Sequence, residues 1–112
     1  MKNLTGLTWL AISENPIDSL KGIENLVNLT RISASLNNLT SIEEVKNLTN
    51  LKSLYVSTNY LENDDLPVLK YLVNLERLNV SDNCITDFII TNELREKGVD
   101  VVVGHQDPSR CN

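Results

Sequence analysis

Asn15, Asn37, Asn59 and Asn83 follow one another at steps of 22, 22 and 24 residues, and each closes the same ladder of apolar side chains. The ladders run Leu4, Leu7, Leu10, Ile12, then Leu26, Leu29, Ile32, Ala34, then Leu48, Leu51, Leu54, Val56, then Leu72, Leu75, Leu78, Val80. A period of this length constrains the fold more than any local propensity, because one such unit is too small to bury its own apolar side and must lay it against the next. The chain is therefore read as a stack of coils.

Each unit combines two periodicities. Pairs such as Leu10 and Ile12, or Leu54 and Val56, are spaced as in a short strand with one buried face. After each asparagine a spacing of three begins, as in Ile17, Leu20, Ile23, Leu26 and again Leu39, Ile42, Val45, Leu48. That spacing suits 3₁₀ turns, which bring every third side chain to one side. Because each strand returns to the same side of its neighbour, the connection climbs the opposite face, the strands pair in parallel and the coil is right-handed. The expected fold is an α/β solenoid with about five short parallel strands, centred near Leu10, Ala34, Val56, Val80 and Val103, on a gently curved concave face. The convex face is expected to carry 3₁₀ or short helical turns.

A buried asparagine in this register has two donors and one acceptor for the backbone of its own turn and of the adjacent coil. Stacked, the four are expected to form a ladder, so Asn59→Ala should harm stability and leave recognition untouched directly.

The pattern LxxLxxLxLxxNxIxxLxxIxxL, seen from Leu4 to Leu26, resembles the 22-residue leucine-rich repeat class. Bacterial internalins use that class, as does the leucine-rich regulatory subunit of eukaryotic protein phosphatase. The segment Asn47 to Leu51, Asn-Leu-Thr-x-Leu, looks bacterial. The resemblance covers Leu4 to about Phe88 and is carried by core positions. It implies the solenoid fold and a role in protein recognition, and it points to no particular partner.

Residues 1–90 are read as four leucine-rich repeats and 91–112 as a C-terminal cap. Within the repeats, Asp64 or Asp65 before Leu66 and Pro67 reads as a helix N-cap with proline in the first turn, followed by one or two turns of true helix through Leu72. In the cap, Thr91 to Gly98 reads as a helix with a glycine stop, Val99 to Val103 as a closing strand, and Gln106 as the substitute for the ladder asparagine. The tail from Asp107 to Asn112 is expected to fold over this end. Nothing comparable precedes Leu7, so Leu7, Leu10, Ile12, Ile17 and Leu20 are expected to form an open edge, as in a fragment of a longer array. Self-association through this uncapped N-terminal repeat is the corresponding expectation for the isolated chain.

Chemistry is sparse. The chain has one histidine, His105, no nucleophile motif and no phosphate-cradling glycine loop, so no enzyme activity or cofactor is expected. Cys84, His105, Asp107 and Cys111 match no zinc spacing. A Cys84–Cys111 disulfide pinning the tail suits the two cysteines better than a metal, while two free thiols are the default in a cytosolic compartment. Glu62, Asn63, Asp64 and Asp65 lack the alternating ligands of a calcium loop and read as a solvated turn. The triplets headed by Asn3, Asn28, Asn38, Asn47 and Asn79 fit the glycosylation pattern only as by-products of the repeat.

A net charge of −5 without a basic cluster argues against nucleic acid, and no apolar run is long enough for membrane insertion. Without a signal peptide in view the sequence as given reads as cytoplasmic, and as secreted or cell-surface if it belongs to a longer internalin-like protein.

Function is therefore sought on the concave strand face, where side chains that the core does not need line up across coils. One column reads Trp9, Arg31, Ser53, Arg77, Asp100; the next Ala11, Ser33, Tyr55, Asn79, Val102; the third Glu14, Leu36, Thr58, Asp82, His105. Trp, Tyr and Arg are the types enriched at binding hot spots. Trp9, Arg31, Tyr55, Arg77, Asn79, Leu36 and Asp82 are the candidate binding residues for a protein partner. The competing reading is a structural segment of a larger array that binds only other repeats.

Overall fold

The computed structural model describes residues 5–111, in which the repeat becomes one parallel sheet of five strands. Asn3 and Leu4 at one end and Asn112 at the other lie outside the described residues. The strands are β1 (Trp9–Ala11), β2 (Arg31–Ser33), β3 (Ser53–Tyr55), β4 (Arg77–Asn79) and β5 (Asp100–Val102), adjacent in sequence order. Register places Leu10, Ile32, Leu54, Leu78 and Val101 in one inward-facing row.

Four strand centres thus lie two residues earlier than expected, at Ile32, Leu54, Leu78 and Val101 instead of Ala34, Val56, Val80 and Val103. Ala34, Val56 and Val80 are still fully buried, and their N–H groups still donate across the sheet, to Tyr55 O at 2.8 Å, Asn79 O at 2.9 Å and Val102 O at 2.9 Å. The strand stops short because the chain turns off the sheet just beyond them. Glu14, Leu36, Thr58, Asp82 and His105 all adopt positive φ, between 53° and 62°. This left-handed conformation disfavours any side chain with a Cβ, most of all a β-branched one.

On the far side of each coil the spacing of three is a hydrogen-bond pattern. Ile23 N donates to Leu20 O, Leu26 N to Ile23 O and Leu29 N to Leu26 O, at 3.0–3.2 Å, and Val45, Leu48 and Leu51 repeat the series at 2.9–3.1 Å. Every third side chain therefore points inward, and Ile23, Leu26, Ile42, Val45, Leu48 and Leu51 have no exposed surface. Regular 3₁₀ helices form at Glu43–Val45, Asn63–Asp65 and Pro67–Tyr71.

The last of these corrects two expectations. Residues 67–71 are 3₁₀ and not α-helical, with Leu66 in the cap position and proline first, and Leu66, Leu69 and Leu72 keep the spacing of three that fills the core. Asp65 does not cap that helix. It closes the preceding turn, where its Oδ2 accepts from Glu62 N at 2.8 Å. Burial raises the Asp65 carboxyl above its ordinary 3.8; the Glu62 amide pulls the other way, and neighbouring Glu62, Asp64 and Glu43 add to the rise.

The asparagine ladder is present. Asn59 and Asn83 are fully buried, each Nδ2 donates to three carbonyls, and each Oδ1 accepts a main-chain N–H of the preceding coil, from Leu39 and Leu61, both at 2.9 Å. Gln106 continues it, accepting from Asn83 N and Ile85 N and donating to Val80 O and Val103 O. A second ladder, not expected from the sequence, runs along the other rim: Asn28, Asn50 and Asn74 donate to Thr5 O, Val27 O and Thr49 O of the coil before, at 2.7–3.0 Å.

The two ends differ. At the C-terminal end, helix α1 (Ile89–Glu96) runs into Gly98 at φ 96°, and Arg95 Nη2 donates to Val101 O at 2.9 Å on the edge strand. Cys84 and Cys111 form a disulfide, and Arg110 pairs with Asp82 at 2.9 Å while its guanidinium lies 4.8 Å from the Tyr60 ring centre. The tail therefore runs back along the asparagine rim toward the third coil.

At the N-terminal end, Leu10 and Leu20 are not uncovered as expected: they are 7% and 1% exposed, because the second coil covers them. Leu7, Ile12 and Ile17 remain half-buried there. In β2 the main-chain groups of Arg31 and Ser33 bond to the strand before and those of Ala34 and Leu36 to the strand after. The same alternation turns the main-chain groups of Trp9 and Ala11 away from β2.

Candidate binding face of the sheet

The parallel register brings the first column together as anticipated, Trp9 beside Arg31, Arg31 beside Ser53, Ser53 beside Arg77 and Arg77 beside Asp100. It cannot do otherwise, since residues between the inward-facing leucines must point away from the core.

Three of the candidates form one group. The Arg31 guanidinium lies 4.7 Å from the Trp9 ring centre and 5.4 Å from that of Tyr55, so an aromatic ring flanks it on either side. Contacts of this kind contribute about 0.5–1 kcal/mol each at exposed sites, enough to restrict the arginine to few rotamers. Trp9 remains 54% exposed. Leu36, on its left-handed turn, is 50% exposed.

The other candidates are occupied within the chain. Arg77 donates to Ser53 Oγ at 3.1 Å and lies 3.7 Å from Glu76, and Ser53, expected on the open face, is 5% exposed. Asn79 Oδ1 accepts from Ser81 N and Oγ. Asp82 accepts from Thr58 Oγ1 at 3.0 Å and from Arg110 at 2.9 Å. The return of the tail to Asp82 was not legible in the sequence, because a residue 28 positions away in a non-repeating segment has no periodicity to place it.

Elsewhere the acidic turn borders a shallow depression of about 250 Å³ lined by Thr40 and residues 62–65. Among the described residues no group of three or more His, Cys, Asp or Glu side chains is arranged to hold a metal ion. Among the described residues no helix is long and apolar enough to cross a membrane.

A parallel sheet of one strand per 22-residue coil, 3₁₀ turns behind it and a buried asparagine rung at each strand exit define a leucine-rich-repeat solenoid, a protein-interaction repeat fold. It is internalin-like. An internalin (inlF) of Listeria monocytogenes superposes with a TM-score of 0.83 over 90% of this chain at 34% identity. Internalin C2 of the same organism does so with a TM-score of 0.79 over 95% at 24% identity, which speaks for the fold alone. The chain spans 29% and 44% of the lengths of those two structures. No protein-family model and no curated protein sequence matches it.

Proposed function

We propose that this chain is a non-catalytic recognition module that docks a protein partner on the exposed face of its sheet, around Trp9, Arg31 and Tyr55. One observation carries the reading: an arginine held between two aromatic rings, with the tryptophan 54% exposed, on a face that the core does not require. Large, rotationally restricted side chains of these types lose little entropy on binding and dominate interface energetics. Leu36 extends the same face toward the asparagine rim.

The test is a binding screen of the purified chain against an array of extracellular proteins, repeated with Trp9→Ala, Tyr55→Ala and Val73→Ala. A specific partner should lose tenfold or more in affinity with either aromatic variant and nothing with Val73→Ala, which lies off the sheet. Equal affinity for all three variants would place recognition elsewhere.

The position of β1 at the edge of the sheet favours a second reading, repeat-against-repeat assembly. Half-buried Leu7, Ile12 and Ile17 and the outward main-chain groups of Trp9 and Ala11 are what a further coil would cover. Fusing a polar capping repeat ahead of Lys2 should convert an oligomer to a monomer in light scattering. An uncapped chain that is already monomeric and does not aggregate would eliminate this reading.

A further inference from the structure

The chain has four arginines, and three are spent inside it. Arg77 binds Ser53 and faces Glu76, Arg95 caps the Val101 carbonyl, and Arg110 clasps Asp82. Arg31 differs: its guanidinium donates no hydrogen bond and has no acidic partner among the described residues, yet Trp9 and Tyr55 hold it in place. With aromatic rings flanking the planar group, its five N–H donors remain at the edges, the direction from which a carboxylate is bound by two parallel hydrogen bonds.

We infer that Arg31 is the seat for one carboxylate, an aspartate or glutamate side chain of the protein partner, with an adjacent apolar side chain resting on the exposed Trp9 ring. This rests on the reading of the sheet face as the binding surface and adds the chemistry of what it binds. Polyanions are disfavoured at the same place. The chain carries a net charge of −5, and Glu14 and Asp100 are exposed along the same face, so a string of phosphates or sulfates extending from Arg31 would meet like charge. One isolated carboxylate carries a single charge and meets correspondingly less of that repulsion. The two ring centres lie 4.7 and 5.4 Å from the guanidinium, so its orientation is set before a carboxylate arrives and less freedom is lost on binding.

The probe is a pair of short capped peptides, Gly-Leu-Glu-Leu-Gly and the same peptide with Gln for Glu, titrated into the intact chain up to millimolar concentration. The Arg31 Nε–H and Trp9 Nε1–H signals, followed by NMR, should move and saturate with the Glu peptide and respond at least fivefold more weakly to the Gln peptide. Arg31→Lys keeps the charge and removes the planar fork; it should weaken binding fivefold or more while leaving the thermal midpoint within a few degrees. Unmoved Arg31 signals, an equal response to both peptides, or full binding by Arg31→Lys would each overturn the assignment. None of these would remove the effect of Trp9→Ala on a protein partner, so the two proposals fail separately.

Discussion

Replacing Asn59 by alanine removes four hydrogen bonds at once, one accepted from Leu39 N at 2.9 Å and three donated to Ala34 O, Val56 O and Ser57 O at 3.1–3.2 Å. The cost is smaller than four bonds because the ladder shares its acceptors. Ala34 O is also served by Asn37, Val56 O by Asn83, and Ser57 O by the Leu36 amide. Only the Leu39 N–H loses its sole hydrogen-bond acceptor. One orphaned buried donor costs about 1–3 kcal/mol, and weakened carbonyl bonding and lost packing at a fully buried site set the expectation at about 2–3 kcal/mol. Asn59→Asp should be worse at neutral pH, since it keeps the acceptor for Leu39 but places a charge against three carbonyls, and milder in acid, where the carboxyl can donate. Asn15→Ala is the internal control: Asn15 is exposed and its side chain donates only to Ile12 O and Ser13 O, so the loss should stay within about 1 kcal/mol. Urea melts read by circular dichroism measure all three, and hydrogen exchange at the Leu39 amide locates the effect. Equal losses for Asn59→Ala and Asn15→Ala would refute the idea that burial of the rung, and not its presence, is what stabilises.

Three further outcomes are expected. Leu36→Asn should raise stability by about 0.5–1 kcal/mol, because asparagine tolerates the left-handed backbone at φ 59° better than leucine, while weakening partner binding; a lower melting midpoint would refute the strain argument. Asp65→Asn should stabilise at neutral pH and lose that gain as pH falls to the ordinary carboxylate value of 3.8 and below: the folded state raises this pKa, so the native residue is best tolerated protonated and costs stability as pH rises. A gain independent of pH would overturn that assignment. Cys111→Ser should cost about 3–4 kcal/mol by the loop-closure entropy of a 27-residue separation, and dithiothreitol should bring the native chain to the same urea midpoint; a loss below about 1 kcal/mol would contradict the estimate.

What could be read in the sequence is what repeats. Leu54, Val56 and Asn59 recur in register with their counterparts, so spacing alone yields the parallel sheet, the inward rows and the rung. Spacing also aligned Trp9, Arg31 and Tyr55 on one face, although the stack itself depends on side-chain length and rotamer, which periodicity does not encode. The left-handed turn was illegible because its five residues, Glu14, Leu36, Thr58, Asp82 and His105, include no glycine or asparagine to announce it. That same turn shortened the strands. The occupation of Asp82 by Arg110 was hidden for a different reason: it joins a repeat to a segment that has no counterpart elsewhere in the chain.

The bond between Cys84 and Cys111 has a mechanical meaning. It closes the final stretch of chain into a covalent ring that contains α1, β5 and the Gln106 rung. Force applied to the two termini bypasses that ring, so its 27-residue span, roughly 90 Å of extended contour, stays out of the tether until the sulfurs part. Among the described residues β1 has a single strand neighbour and lies outside the ring, so the coils between it and Cys84 are the ones such a force can extend. A pulling experiment should therefore lengthen the chain through the coils before Cys84, and reduction of the disulfide should release the hidden length.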